Sequence, residues 1–365
     1  MKVKEIIKVL EQFAPLQLQE NYDNAGLITG HFDMEITAAL LTLDSTEDVI
    51  DEAIANKCNL IIAHHPIVFN GLKKINGKNY VERSIIKAIK NDIAIYAAHT
   101  NFDNVRDGVN KMIAEKLGLI NTKVLLPQKN TLKKLFTFVP VAHAETVRNA
   151  MFSEGAGHIG NYTECSFNVE GVGTFNAQEG AKPFVGRFGN QHNEAEIKVE
   201  VVFPFWNEKQ ILKALFESHP YEEVPYDIVS IDNFFQDIGS GLIGELPVAL
   251  DEINFLQHIQ ESMKTPLIRH THLLNKKITK VAVCGGAGSF LLSDAMNAGA
   301  QVFITSDYKY HQFFEAEGEI LICDIGHYES EQFTPLIFAQ LLNKKLPTFA
   351  THFSKTNSNP IKYFY

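Results

Sequence analysis

The amino-acid sequence predicts an α/β fold in which a helix-covered, mostly parallel sheet is built from both chain ends and an α+β domain is inserted between them. Apolar runs of strand length alternate with helical segments before about residue 120 and again after about residue 241. This alternation is typical of parallel sheets covered by helices. Between about residues 130 and 235 the order of elements becomes β-α-β-β-α-β, which is the order of a ferredoxin-like sandwich.

A chain of 365 residues is longer than one core normally supports, so we expect two domains. We expect a discontinuous α/β domain over residues 1–128 and 238–365, and an inserted domain over residues 129–237. The insert has to be looped out for the two flanks to close one sheet.

The composition is that of an ordinary soluble protein, with 45% hydrophobic and 21% charged residues. No segment is apolar enough to cross a bilayer or to act as a signal peptide, so we expect a cytoplasmic protein without a membrane partner. The net charge of −10 argues against a broad nucleic-acid footprint. The four cysteines form no C-x-x-C pair, and we interpret them as free thiols: Cys58, Cys165, Cys284 and Cys323.

The elements follow in order along the chain. Ser45 or Thr46 can cap a helix that runs through Lys57, and a last helix is expected from His327 to Lys345. Inside the insert, a hairpin-like pair is expected around Gly171-Val172-Gly173. Strands are expected at residues 36–43, 59–62, 93–98, 132–139, 197–203, 224–231, 278–284, 301–305 and 319–324.

The apolar run at residues 59–62 leads through Ala63 into two adjacent histidines, His64 and His65. Adjacent residues within a strand point to opposite faces, but at a strand end the backbone leaves the pleat and two neighbours can converge. The pair suggests one crevice in which each histidine reaches a different metal ion, or in which one binds metal and the other substrate. The alternative is one hydrogen-bonding histidine beside one that faces solvent.

Two further strand ends carry residue types that bind metals. The strand at residues 93–98 leads into His99 and Asp103, and His327 and Glu331 lie four apart on one helical face. For the latter pair, a capping histidine with a first-turn glutamate is the alternative. Because open α/β sheets bind ligands at the carboxyl edge of their parallel strands, we expect these side chains to meet. Such mixed nitrogen and oxygen ligation fits zinc first, with manganese or iron as alternatives, in a catalytic rather than a closed structural site.

Several other residues are weaker candidates. His99 and His311 are candidate acid-base groups, with an ordinary partly buried histidine as the alternative. The glycines at 285, 286 and 288 could cradle a phosphate, although a tight strand-to-helix turn explains them better because G-x-G-x-x-G is incomplete. The segment Tyr221-Glu222-Glu223 could bind a ligand on the insert or form a solvated turn.

Seven segments together resemble the NIF-three-like family, whose members are often named GTP cyclohydrolase 1 type 2 homologues. The resemblance spans essentially the whole chain and indicates the longer bacterial form. Its most specific parts are the HHP and GH-x-x-S-E motifs. The segments are NYDNAGL, LIIAHHPIVF, AAHTNFD, HPYEEVPYDI, CGGAGS, ITSDYKYH and CDIGHYESE.

The resemblance implies a toroidal homohexamer and an insert similar to PII- and CutA-like domains. One position departs from the family pattern: Ser306 stands where members often carry glycine, and this makes close ligand approach at Asp307 less easy. Carried over position by position, the resemblance implies a dinuclear metal site at His64, His65, Asp103, His327 and Glu331.

Three functions are compatible with these residues. The first is a metal-dependent hydrolase for a nucleotide-like small substrate, and the resemblance implies opening of the imidazole ring of GTP with release of formate. The second is a non-enzymatic metal-binding or metallochaperone-like scaffold whose insert senses a ligand. The third is a ring that encloses nucleic acid, which the net charge of −10 makes less attractive.

Overall fold

The computed structural model describes residues 1–364, and the chain divides into two compact units. The first unit combines Met1–Pro127 with the segment that begins at Asp237, and the second unit is Gln128–Gln236. These bounds lie one residue from the boundaries expected from the sequence. Among the described residues, no helix has the length and apolar character that crossing a membrane requires.

The N-terminal part of the first unit alternates strands and helices. Helix α2 begins after Thr46, whose side chain accepts a hydrogen bond from the Val49 backbone N–H at 3.4 Å. The expectation that it runs through Lys57 is wrong, because Lys57 has a left-handed backbone with φ of 57° and the helix ends at Ala55. The elements are α1 (Val3–Phe13), β1 (Gly26–Thr29), β2 (Ala38–Thr42), α2 (Glu47–Ala55), β3 (Leu60–Ala63), α3 (Tyr80–Lys90), β4 (Ala94–Ala97), α4 (Thr100–Asp103), α5 (Val109–Lys116) and β5 (Ile120–Pro127).

The second unit forms one antiparallel sheet with two helices. Its elements are β6 (Leu132–Pro140), α6 (Ala144–Ser153), β7 (Phe167–Asn176), β8 (Gln191–Pro204), α7 (Glu208–Ser218) and β9 (Tyr226–Ile231). The strand order is β7-β8-β6-β9. Both helices cover the same face, because Val147 of α6 and Leu215 of α7 share a core with Val199 and Val201 of β8.

The hairpin-like pair expected around Gly171-Val172-Gly173 is the antiparallel pair of β7 and β8, but these three residues do not form its turn. Both glycines lie inside the edge strand β7, which continues to Asn176, and Gly171 pairs with Glu196 of β8. A Cβ atom on Gly173 would collide with the Glu196 carboxylate, so this position needs glycine for space. A glycine pattern alone does not distinguish a turn from a close approach of this kind.

The C-terminal part returns to the first unit. The last helix is divided into α10 and α11, because Pro335 starts a new helix in its first turn. The elements are β10 (Gly239–Asp251), α8 (Glu252–Met263), β11 (Arg269–His270), β12 (Lys277–Val283), α9 (Leu292–Asn297), β13 (Val302–Thr305), β14 (Leu321–Asp324), α10 (His327–Glu331), α11 (Thr334–Lys345) and β15 (Ala350–Phe353).

The α/β class is confirmed, but the first unit contains two sheets where the sequence suggests one. Their strand orders are β1-β4-β3-β2-β15 and β11-β14-β13-β12-β10-β5. Strand β15 from the C-terminal part pairs in parallel with β2, and β5 from the N-terminal part pairs antiparallel with β10. Each flank therefore completes the other's sheet. Apolar periodicity predicts strands but not their partners, so one sheet and two sheets produce the same pattern.

Strands β3, β4 and β14 are buried at every residue, as expected for the inner strands of helix-covered sheets. Polar residues appear where these apolar runs stop. The first polar residue after β3 is His64, the first after β4 is His99, and the first after β14 is His327.

Candidate metal centre

His64 and His65 leave the pleat of β3 through a shared backbone acceptor. The backbone N–H groups of both residues donate to the Leu43 carbonyl oxygen, at 3.1 and 2.9 Å. Successive N–H groups of a regular strand point to opposite sides, so a common acceptor turns the chain after Ala63. The two adjacent side chains consequently converge, with ring centroids 5.0 Å apart.

Each histidine of this pair uses its Nδ1 atom to hold its ring in place. The His64 Nδ1 atom lies 2.7 Å from the Ala98 carbonyl oxygen, and the His65 Nδ1 atom lies 2.7 Å from Asp44 Oδ1. A hydrogen on Nδ1 satisfies both contacts and leaves Nε2 of each ring as the atom that can bind a metal ion. This is the orientation in which proteins present histidine to metals.

His99 and His327 repeat the arrangement. The His99 Nδ1 atom lies 2.7 Å from Asp23 Oδ1, and the His327 Nδ1 atom lies 2.6 Å from Asp307 Oδ2. Asp23 also accepts hydrogen bonds from the backbone N–H and the hydroxyl of Thr100. Burial opposes ionisation of Asp23, but these hydrogen bonds outweigh it and lower its pKa to about 2. Asp23 therefore remains a carboxylate.

Glu331 lies at the centre of the cluster and is 3% exposed. Its Oε2 atom lies 2.9 Å from His65 Nε2 and 3.1 Å from His327 Nε2, and its Oε1 atom lies 3.7 Å from His64 Nε2. Burial would raise the pKa of Glu331, but the charge and hydrogen bonds of the facing histidines outweigh it and hold the pKa well below its ordinary value. The carboxylate is ionised and has a different neighbour set on each oxygen.

His64 and Asp103 present buried polar atoms without a hydrogen bond. The His64 Nε2 atom lies 3.6 Å from Asp103 Oδ1, and neither atom has a hydrogen-bond partner among residues 1–364. Burial, and then the negative charge of Glu331, raise the pKa of Asp103. Unsatisfied buried polar atoms are costly, and a cation between these two would remove the cost. The residues present therefore fit a metal ion.

Three overlapping groups of three side chains could each hold a metal ion. Within each group, the ligand atoms lie within 4.8 Å of one another. Imidazole nitrogens and carboxylate oxygens without thiolates suit zinc, manganese or iron. Three protein ligands per position leave coordination sites open, as catalytic centres require. The groups are His65-His327-Glu331, His64-Asp103-Glu331 and His64-His65-His99.

A cavity of about 640 Å³ adjoins the cluster. Its wall includes His65, His327 and Glu331 together with three aromatic rings, each 45% or more exposed. The volume suits a small organic ligand, which would contact the metal-binding side chains and an apolar wall at once. The aromatic residues are Tyr22, Phe69 and Phe290.

A family model described as Duf34/NIF3 (NGG1p interacting factor 3) matches residues 1–360. The chain belongs to the Duf34/NIF3 family. A relative from Bacillus subtilis (strain 168), named GTP cyclohydrolase 1 type 2 homolog, is 38% identical across 99% of this chain and 98% of its own length. A relative of the same name from Halalkalibacterium halodurans is 40% identical across 88% and 87% of the two chains.

Solved structures agree with this membership of the NIF3 family. A crystal structure of a Bacillus cereus protein related to NIF3 is similar to this chain with a TM-score of 0.88 and 38% identity, covering 100% of this chain and 99% of that one. The Staphylococcus aureus protein SA1388 has a TM-score of 0.79 at 27% identity, with the same coverage.

The motifs that resemble the NIF3 family bring their polar residues to one place. The five residues expected to bind metal all belong to the two groups that share Glu331, and His99 lies beside them. His311 does not join them: it is exposed, and its ring contacts Tyr310 and Phe314 at centroid distances of 5.2 and 6.4 Å. Only one of the two candidate acid-base histidines therefore lines the cavity.

Sequence reasoning missed the carboxylates that orient the histidines. Asp44 follows strand β2, at the same sheet edge as His65, and this position was the available signal. Asp23 lies in the NYDNAGL segment, whose function the spacing alone did not reveal. Asp307 reaches His327 despite the serine before it, and its own backbone takes the left-handed conformation with φ of 60°.

The glycine-rich segment after β12 forms the tight turn favoured from the sequence. The Gly286 backbone N–H donates to Ser330 Oγ at 3.0 Å, and its carbonyl oxygen accepts from Ser306 Oγ at 2.6 Å. A Cβ atom on Gly286 would lie 2.5 Å from Glu331 Oε1. The turn therefore packs directly against the central carboxylate.

Proposed function

We propose that this protein is a metal-dependent hydrolase for a nucleotide-like small substrate and that two divalent ions bind at the cluster. The observation that carries the proposal is the surroundings of Glu331. Its Oε2 atom faces His65 and His327, whereas its Oε1 atom faces His64, which lies beside Asp103. A carboxylate with a separate ligand set on each oxygen is suited to bridge two ions.

Bound divalent ions would supply Lewis acidity for hydrolysis, with zinc expected first and manganese or iron as alternatives. The chain's own contribution is orientation. Asp44 and Asp307 hold the Nδ1 atoms of His65 and His327, so that both Nε2 atoms face Glu331. Partners of this kind typically change metal affinity by tenfold to a hundredfold.

A proton-transfer role for His99 is supported by its contact with Asp23. His99 lies outside the two groups that share Glu331, yet it lines the cavity. Its Nδ1 atom donates to an ionised carboxylate, which orients the ring and leaves Nε2 as the atom available for proton transfer. We therefore assign proton transfer to His99 rather than to the exposed His311.

A planar substrate is supported by the aromatic wall of the cavity. The rings of Tyr22 and Phe69 lie 6.2 Å apart between centroids, and Phe69 lies 6.2 Å from the His99 ring. Such rings can stack on a heterocyclic base. Because the curated relatives are named GTP cyclohydrolase 1 type 2 homolog, GTP is the first substrate to test.

The test combines metal loading with a nucleotide screen. Protein loaded with zinc, manganese or ferrous iron is assayed for hydrolysis of GTP and other nucleotides, beside His65→Ala and Glu331→Ala. We expect turnover by the metal-loaded wild type and its loss in both variants. His272→Ala removes an exposed histidine outside the three metal-binding groups and is the matched control, which should retain metal and activity.

Two outcomes would change the proposal. Undiminished turnover by a metal-free His65→Ala/Glu331→Ala double variant would contradict a metal-dependent hydrolase. Metal retention by the wild type without turnover of any nucleotide would favour the scaffold alternative.

The toroidal homohexamer and the PII- or CutA-like insert remain predictions from the family resemblance. Sedimentation velocity tests the first of them. The expected species contains six subunits of 40.9 kDa, and a smaller species at micromolar concentration would contradict it.

A further inference from the structure

The sheet of the second unit has a cleft of about 890 Å³ on the face that its helices leave open. Side chains alternate along a strand, so Glu196 and Lys198 of β8 point away from Val199 and Val201, which pack against the helices. The segments 177–184 and 221–225 contribute the other walls. The cleft belongs entirely to the second unit.

Glu196 is the unusual residue of this cleft, because it carries a carboxylate although the residue is only 7% exposed. Its Oε1 atom accepts a hydrogen bond from the Tyr221 hydroxyl at 2.7 Å. Its Oε2 atom lies over Gly173, in the space that a Cβ atom would occupy if position 173 were not glycine. One hydroxyl does little to compensate a buried carboxylate, which normally requires a cation.

No cationic side chain among the described residues forms an ion pair with Glu196. On the same face, Lys134 and Lys198 both bind Glu200, at 2.7 Å each, and His192 binds Glu194 at 2.8 Å. These basic side chains are therefore already paired with carboxylates other than Glu196.

His219 does not supply the missing charge. Its Nδ1 atom accepts the Tyr221 backbone N–H at 3.1 Å, and its Nε2 atom donates to the Phe138 carbonyl oxygen at 3.0 Å. Both ring nitrogens are satisfied in the neutral form, and burial lowers the pKa of His219. The ring packs on Tyr221 with centroids 5.0 Å apart.

Aromatic rings surround the space next to Glu196. Tyr221 lies 6.4 Å from Phe175 and 6.3 Å from Phe184 between ring centroids. Aromatic faces attract ammonium groups, and the attraction increases where water is excluded. The cleft therefore combines an uncompensated carboxylate with an aromatic cage.

The remaining charged residues of the lining disfavour an anion. Glu170, Glu222 and Glu223 also line the cleft, and Lys198 is its one basic residue within the described chain. The Lys198 ammonium group is paired with Glu200 and lies 4.5 Å from the Phe136 ring. An anion would meet four carboxylates, and a neutral ligand would leave Glu196 without a counter-charge.

We propose that this cleft binds a small organic cation, an ammonium group on an apolar body, with the nitrogen against Glu196 and Tyr221 and the apolar part between Phe175 and Phe184. The inference does not depend on the hydrolase proposal, since it concerns the second unit alone. The ligand class follows from two complementary features, the lone buried carboxylate and the apolar aromatic walls.

Isothermal titration calorimetry of the full chain tests this with three probes of similar shape: 2-phenylethylammonium, 2-phenylethanol and 3-phenylpropionate. We expect the cation to bind at least about tenfold more tightly than the alcohol, and the anion to bind least, because only the cation compensates Glu196. Glu196→Gln should abolish the preference for the cation while keeping an acceptor for Tyr221. Glu194→Gln, on the same strand and face, is the matched control and should bind as the wild type does.

Phe184→Ala provides a second variant in case Glu196→Gln does not fold, since Phe184 is 51% exposed and its loss leaves the core intact. It should weaken binding of the cation several-fold. Equal affinity for the cation and the alcohol would overturn the proposal. So would unchanged cation binding by a folded Glu196→Gln variant, or no binding of the cation up to about 10 mM.

Discussion

The Nε2 atom of His65 lies 2.9 Å from Oε2 of Glu331, although the two residues are 266 positions apart in the chain. His65 follows β3 of the five-stranded sheet, and Glu331 ends α10, which follows β14 of the six-stranded sheet. Both sheets must therefore form before this set of side chains is complete. Metal binding should consequently report on folding of the first unit.

His65→Ala is expected to lower the bound metal by about one ion per subunit, because one of the two groups around Glu331 would keep only two of its three ligands. Elemental analysis of the purified protein measures this content, with His272→Ala as the control that should not change it. A His65→Ala variant with native circular dichroism and full metal content would remove His65 from the ligand set.

Metal binding near pH 7 is expected to release about three protons per subunit. Burial disfavours charge on His65, but hydrogen bonds to Asp44 and Glu331 outweigh it and raise its pKa to about 9. For His327, burial is likewise outweighed, by the charge of Glu331 and the hydrogen bond to Asp307, and its pKa rises to about 11. Burial, and then the charge of Glu331, raise the pKa of Asp103 to about 8. Without metal all three groups hold a proton near pH 7, and bound ions must displace these protons.

The sign of the pH dependence follows from this competition. Lowering the pH favours the protonated ligands, so apparent metal affinity should fall by up to about a thousandfold per pH unit near neutrality. Calorimetry in buffers of different ionisation enthalpy counts the released protons. Binding without proton release would show that His65 and His327 are already neutral.

Gly286→Ala is expected to weaken metal binding as well as stability. Gly286 has a φ of +61°, which costs alanine about 1 kcal/mol, and the added Cβ would lie 2.5 Å from Glu331 Oε1. Gly118→Ala is the matched control, because Gly118 has a φ of +68° and a Cβ there would meet nothing within 4 Å. Urea unfolding and chelator competition measure the two effects.

Both glycine variants should lose stability, Gly286→Ala the more because of its contact with buried Glu331, and only Gly286→Ala should lose metal affinity. Equal metal affinity in the two variants would mean that the turn after β12 does not hold Glu331 in position.

Glu52→Gln is expected to destabilise the fold at neutral pH by about 0.5–1 kcal/mol, a value that allows for partial screening by water. Glu52 of α2 accepts hydrogen bonds from Ser354, Lys355 and Thr356, and so ties the segment after β15 to the helix. Burial opposes its ionisation, but these hydrogen bonds outweigh it and lower its pKa. Asp51→Asn, at an exposed position of the same helix, removes an ion pair with Lys87 and should change stability by less than Glu52→Gln, because exposed ion pairs contribute little.

The stabilisation by Glu52 is present above its unfolded-state pKa of about 4.3 and is lost as the pH falls through the lower folded-state pKa. The difference between wild type and Glu52→Gln should therefore be largest near neutral pH and shrink below about pH 4. Urea midpoints at both pH values measure it. A difference that grew on acidification would refute the assignment of ionised Glu52 as the acceptor.

Much of the site could be anticipated from particular residues. His64, His65, His99 and His327 each follow an apolar run of strand length, and parallel strands end at a common edge. The orienting partners of these rings could not be anticipated as easily. An aspartate such as Asp23 looks the same in a solvated turn and beneath a histidine, because the difference is a contact across 76 positions.

The sequence by itself determined the alternation of strands and helices, the polar residues at the strand ends and the motifs of the NIF3 family, because these depend on local spacing and residue type. Only the tertiary structure decided that the first unit has two sheets, that Glu331 has separate neighbours on each oxygen, and that Gly173 makes room for Glu196. The physical reason is that strand partners, burial of charge and close approach arise from long-range packing, which local periodicity does not encode.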